Sequence, residues 1–158
     1  MEAKEHQELK KNHYLYKILN PKSIAVFGAN NNLLTTMGSM QLRNIREGGF
    51  NGKIFPIHPR LDQVQGYKAY QTVLDLPEKP ELAFIILPPR VVPEVMEECG
   101  EKGIKQLIIT SGGFREVGED GLELSKKVNQ IDEKYGMRFV GPNCLGIYNG
   151  WYDPDNYN

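Results

Sequence analysis

Five short runs of apolar, mostly β-branched positions recur at intervals of about thirty residues, at 23–27, 53–57, 82–87, 106–110 and 137–140. Most are continuously apolar rather than alternating, as strands covered on both faces require, and each ends in Gly, Pro or a polar turn residue. The pattern predicts five buried parallel strands. Between them, apolar residues follow a period near 3.6: Met37, Met40 and Ile45; Val91, Val92, Val95, Met96 and Cys99; Leu124, Val128, Ile131 and Tyr135. Pro93 fits a first helical turn, where a missing N–H costs little. Glycines that suit left-handed helix stops follow each segment, at Gly48 and Gly49, Gly100 and Gly103, and Gly136. Residues 67–76 read as a loop with one short helical turn before Pro77. An amphipathic stretch at 7–19 is expected to pack on the sheet through Leu15, Ile18 and Leu19. The fold class is therefore α/β: a Rossmann-like three-layer sandwich around a mainly parallel sheet of five strands or slightly more. Residues 1–20 form a helical extension, 21–150 the domain, and 151–158 a polar tail or the start of a further element.

Composition narrows the function. With 158 residues, 40% hydrophobic and 25% charged, the chain fits one domain with one buried core. Nineteen Lys plus Arg against twenty Asp plus Glu give a net charge of −1, so the basic excess behind nucleic-acid binding is missing. No apolar run approaches the ~20 residues that cross a bilayer, and the start, Met-Glu-Ala-Lys-Glu-His, does not read as a signal peptide. Cys99 and Cys144 form no Cys-x-x-Cys pair, which disfavours a disulfide framework or structural zinc and points to a reducing cytoplasm. His6 and His13 share a helical face but lack a third ligand nearby, so they read as surface residues and no metal site is expected.

Ligands of an open parallel sheet bind beyond the carboxyl ends of its strands. After the first run, Gly28, Ala29, Asn30, Asn31 and Asn32 form a Gly- and Asn-rich loop into a helix whose N-terminus would attract a phosphate, although Gly-x-Gly-x-x-Gly is not present. After the second, His58, Pro59 and Arg60 stand where an NAD-binding unit carries Asp or Glu. An arginine there favours a phosphate, the 2′-phosphate of NADP or the 3′-phosphate of coenzyme A. After the third, Leu87, Pro88, Pro89 and Arg90 make a rigid corner with two backbone donors missing. After the fourth, Thr110, Ser111, Gly112 and Gly113 make a second Gly-rich mouth, and two mouths imply an extended ligand. After the fifth, Asn143 and Cys144 share a tight turn. No His or Lys close in sequence activates the thiol, so Cys144 reads as a packed or ligand-facing residue and no catalytic residue is assigned.

Five segments together resemble one family: Pro21-Lys22-Ser23-Ile24-Ala25-Val26-Phe27-Gly28-Ala29, Gly48-Gly49-Phe50-Asn51-Gly52-Lys53-Ile54-Phe55-Pro56, Pro93-Glu94-Val95-Met96-Glu97-Glu98-Cys99-Gly100, Ser111-Gly112-Gly113-Phe114 and Gly141-Pro142-Asn143-Cys144-Leu145-Gly146. In this order they resemble the CoA-binding domain of NDP-forming acyl-CoA synthetases, relatives of the succinyl-CoA synthetase alpha subunit. The resemblance runs from about Leu19 to Tyr148. It implies a Rossmann-like domain holding CoA across the strand ends, with the 28–32 loop at the phosphates. Arg60 stands where relatives usually carry Lys, and Pro88 and Pro89 lie along the nucleotide. Thr110, Ser111 and Gly112 line the path to the thiol, with Asn143 and Cys144 nearest the reaction. Two departures are Asn30, where many relatives have Ser or Thr, and the Asn31-Asn32 pair. The family passes a phosphoryl group through a histidine in a following domain. None of His6, His13 and His58 has a matching context, and no Gly-x-x-x-x-Gly-Lys-Ser/Thr sequence holds ATP. The resemblance thus implies a CoA or acyl-CoA binding domain or subunit that needs the other domains or subunits of a synthetase to complete the reaction. The oligomeric state, including a homo-oligomer, stays open. An NAD(P)-binding regulatory or redox domain is the alternative, on the same fold.

Overall fold

The computed structural model describes residues 13–33 and 36–150. His6, the first part of the expected 7–19 helix, and the 151–158 tail lie outside the described residues. Five parallel strands, β1 (Ser23–Phe27), β2 (Lys53–Ile57), β5 (Leu82–Ile85), β6 (Gln106–Ile109) and β7 (Arg138–Val140), form a sheet in the order β2-β1-β5-β6-β7. Each lies within one of the five runs, though β2, β6 and β7 open on the polar residues Lys53, Gln106 and Arg138, and β1 is buried at every position. The third and fourth runs extend past the ladder, because Ile86, Leu87 and Thr110 already belong to the loops.

Alternate strand residues face opposite layers. Ala25, Phe27, Ala83, Ile85, Leu107 and Ile109 pack against α3 (Val92–Lys102) and α4 (Glu119–Tyr135) through Val92, Met96, Cys99, Val128 and Ile131. Ile24, Val26, Leu82, Phe84 and Ile108 pack against α1 (Tyr14–Leu19) and α2 (Met37–Glu47) through Ile18 and Leu42. These are the three layers of a Rossmann-like α/β fold. Burial pushes the Cys99 thiol pKa far up, so it behaves as a small apolar core residue.

The helix stops are more selective than the glycine pattern implied. Gly49, Gly103 and Gly136 have positive φ, but Gly48 has φ −72°. Gly100 lies inside α3, where a Cβ would run into the Tyr135 ring, so it serves helix packing rather than termination. His13 precedes α1 and caps it, its Nδ1 accepting from Leu15 N at 3.3 Å.

The stretch at 67–76, expected as a loop with one short helical turn, has that turn and in addition a strand at its start. Gln63–Val64 (β3) and Tyr67–Lys68 (β4) form an antiparallel hairpin around Gln65-Gly66, whose φ values of 51° and 88° suit a tight two-residue turn. A 3-10 turn follows at Val73–Asp75, with a capping box between Thr72 and Asp75. The hairpin returns to the sheet edge, where Tyr70 N donates to Pro56 O and His58 N to Tyr70 O. Pro56 is tolerated because β2 is the edge strand. Among the described residues no helix is long and apolar enough to cross a membrane.

Candidate functional site

The chain leaves β1 toward β2 on one side and continues through β5, β6 and β7 on the other. Strand order therefore reverses between β1 and β5, the place where open parallel sheets bind their ligands. Backbone hydrogen bonds join the strand ends here: Ile86 N donates to Phe27 O at 3.3 Å, and Thr110 N to Ile85 O at 3.1 Å. The loops that begin at Gly28, Ile86 and Thr110 thus stand side by side.

Gly28 (φ 88°) lies at the centre. A Cβ there would overlap the Ile86 carbonyl, and a Cβ on Gly38 would overlap the Gly28 carbonyl. Two glycines therefore let α2 and β5 close on the first turn of the loop. Ala29 is buried beneath it. Beyond this turn, side chains hold the loop. Asn30 N donates to Ser39 Oγ at 3.0 Å, Ser39 Oγ donates to Asn30 O at 3.1 Å, and Asn32 N donates to Asn30 Oδ1 at 2.7 Å. Thr36 caps α2 by accepting from Ser39 N at 3.2 Å. Asn31 reaches the hairpin, its Nδ2 donating to Gln63 O at 3.0 Å and its Oδ1 accepting from Gln65 N at 2.7 Å. The Asn30 and Asn31 amides are thus engaged in shaping the loop. Asn32 is exposed.

After β2, His58 Nδ1 accepts from Arg60 N at 3.2 Å and Leu61 N at 3.1 Å. Both contacts require an unprotonated Nδ1 and so assign the proton of the neutral ring to Nε2. Partial burial first, and the Arg60 guanidinium second, push the His58 pKa down, which favours the same neutral form. His58 thus builds the turn that presents Pro59 and Arg60, both exposed. Among the described residues Arg60 has no ion-pair partner.

The third and fourth strand ends form one wall. Ser111 Oγ donates to Leu87 O at 2.5 Å, and a Cβ on Gly113 would lie 2.7 Å from Pro89 Cγ. Pro89 begins a 3-10 turn that leads into α3, leaving Pro88 and Arg90 exposed. The Thr110 hydroxyl is turned inward onto Ile85 O at 3.3 Å. Glu116 accepts from Gly113 N at 2.6 Å, and hydrogen bonds from its own N–H and from Gly113 hold its carboxyl below the usual range. Asn143, at φ 56°, donates its N–H to Ser111 O at 2.9 Å, and a Cβ on Gly112 would lie 3.5 Å from Asn143 Oδ1. The turn after β7 therefore meets the mouth after β6 at Asn143. Cys144 Sγ–H donates to Ile109 O at 3.4 Å and packs against the α1/α2 core. The strand ends thus offer backbone amides, the exposed arginines Arg60 and Arg90 and a proline corner, whereas the Thr110 and Ser111 hydroxyls are spent on backbone carbonyls. Binding an elongated polyanion with an apolar tail is within their chemistry.

An apolar cavity of about 430 Å³ lies elsewhere, between α1, α2 and residues 145–149, above Ile24, Phe84 and Ile108. Its walls carry no cation, which makes it unsuited to a phosphorylated ligand. Among the described residues no group of three or more His, Cys, Asp or Glu side chains could hold a metal ion.

The family described as CoA binding domain matches residues 22–150. An ADP-forming acetate–CoA ligase of Methanocaldococcus jannaschii is 45% identical over 129 residues, covering 82% of this chain and 18% of the ligase. The alpha subunit of ADP-forming acetate–CoA ligase II from Pyrococcus furiosus is 43% identical over 130 residues, covering 82% of this chain and 28% of the subunit. Among solved structures, acetyl-coenzyme A synthetase 1 of Ca. Korarchaeum cryptofilum, in complex with phosphate and ADP, superimposes with a TM-score of 0.77 at 40% identity, over 82% of this chain and 27% of the synthetase. The chain spans less than a third of each of these proteins.

Proposed function

Because the chain belongs to the CoA binding domain family, homologous to the alpha subunit of ADP-forming acyl-CoA synthetases, we propose that it holds coenzyme A across the carboxyl ends of its parallel strands. The observation that carries this reading is the reversal of strand order between β1 and β5, flanked by three loops that direct hydrogen bonds hold together. The diphosphate meets backbone amides of the 28–32 loop at the N-terminal end of α2. Arg60 takes the 3′-phosphate, with His58 and Pro59 setting its turn, and Leu87, Pro88, Pro89 and Arg90 border the nucleotide. The pantetheine arm runs past Thr110, Ser111, Gly112 and Gly113, bringing the thiol toward Asn143 and Cys144. Residues 21–150 act as the binding unit, with 1–20 and 151–158 flanking it.

In this reading the chain presents CoA or acyl-CoA in the cytoplasm, and further domains or subunits of a synthetase carry out phosphoryl transfer and thioester formation. Isothermal titration of the 158-residue chain tests the ligand. Micromolar binding of CoA, weaker binding of dephospho-CoA and none of NADPH are expected. NADPH binding without CoA binding would replace this reading with a dinucleotide-binding regulator.

A further inference from the structure

We infer that Gln65, at the tip of the β3–β4 hairpin, is a positioning residue that holds the 28–32 loop in its ligand-binding shape; the inference rests on the CoA reading above. Its Nε2 donates to two carbonyls at once, Asn30 O at 3.2 Å and Ser39 O at 2.9 Å, and so bridges the loop to the first turns of α2. Its backbone N donates to Asn31 Oδ1 at 2.7 Å, and Asn31 Nδ2 returns a bond to Gln63 O at 3.0 Å. Three hydrogen bonds therefore join the hairpin tip to a loop more than thirty residues earlier in the chain, and a fourth joins it to α2. Two carbonyl acceptors fix which way the amide points, because only the NH2 end can serve both.

The other loop contacts given above, from Ser39 and Asn30, are internal to the β1–α2 unit. Gln65 adds a hold from outside it. The same hairpin is anchored behind the His58 turn, since Ala69 N donates to Asp62 O at 2.8 Å and Leu61 N to His58 Nδ1. Gln65 thus fixes the distance between the loop proposed for the diphosphate and the turn proposed for the 3′-phosphate. Ligand affinity depends on such preorganisation, because a loop that must be ordered on binding weakens the complex. Gln65 sits at φ 51°, a conformation costly for a residue other than Gly, Asn or Asp, and its Oε1 is buried without a hydrogen-bond partner, so its placement is set by the bonds its two N–H groups make.

Two variants test this in the 158-residue chain. Gln65→Leu keeps the bulk and removes the donor, whereas Gln65→Glu places a carboxylate against two carbonyl oxygens. Both are expected to weaken CoA about tenfold and to speed amide exchange at Asn30 and Asn32 without ligand, while the melting temperature shifts by only a few degrees because Val64 keeps the hairpin anchored in the core. CoA affinity within twofold of the parent together with unchanged exchange would overturn the assignment. Should the parent chain itself fail to bind CoA, the ligand reading fails, while the exchange arm still decides whether Gln65 holds the loop.

Discussion

Gly28→Ala is expected to destabilise the fold by about 4 kcal/mol or more and to lower the melting temperature by about 10 °C, whether or not ligand is present. Two effects add. The backbone at φ 88° is strained for any side chain, and the new methyl would overlap the Ile86 carbonyl of the neighbouring strand end. Neither β1 nor β5 can retreat without breaking the ladder bond from Ile86 N to Phe27 O. Gly49→Ala is the control: its φ is 87°, but a Cβ there has nothing within 4 Å, so only the conformational cost of about 1 kcal/mol applies. Equal melting temperatures for the two variants would contradict the close approach of the Ile86 carbonyl to Gly28. The glycine is thus required by the fold at the same point where the loop begins, and loss of binding in this variant carries no separate information about ligand contact.

Arg60→Glu should have the opposite profile, with stability preserved and affinity for CoA reduced on the order of thirtyfold, while dephospho-CoA loses much less. Arg60 is exposed and has no ion-pair partner among the described residues, so the fold does not depend on its charge. The turn that presents it is held by backbone N–H bonds to His58 Nδ1, which the substitution leaves in place. Equal losses for CoA and dephospho-CoA would remove Arg60 from the 3′-phosphate and place it on a contact common to both ligands.

The strands were legible because a strand buried on both faces has to be apolar throughout, and few other elements produce such runs. Their ends blurred at Ile86, Leu87 and Thr110, where apolar or β-branched residues continue into loops that are themselves partly or wholly buried. The hairpin was missed because its strands are two residues each and its turn is Gln-Gly rather than the stronger Asn-Gly signal. The positive-φ demand at Gly66 was the trace it left. At the site, the order of loops followed from the order of strands, but the work done by individual side chains did not. The three asparagines suggested donors for a ligand, yet Asn30 and Asn31 engage Ser39, Gln63 and Gln65, partners nine to thirty-four residues away. His58 likewise stands at a site position, and the local bonds from Arg60 N and Leu61 N to its Nδ1 assign its ring to building the turn.

Amide shift mapping on the isotopically labelled 158-residue chain, titrated with CoA, tests the central claim most directly. The account predicts that the largest changes fall on Gly28 to Asn32, Arg60, Leu87 and Ser111 to Gly113, along the carboxyl ends of β1, β2, β5 and β6. Changes confined to the apolar cavity lined by Ile18, Ile45, Phe50 and Tyr148 would contradict it, because that site lies off the strand ends and offers a phosphate no cation.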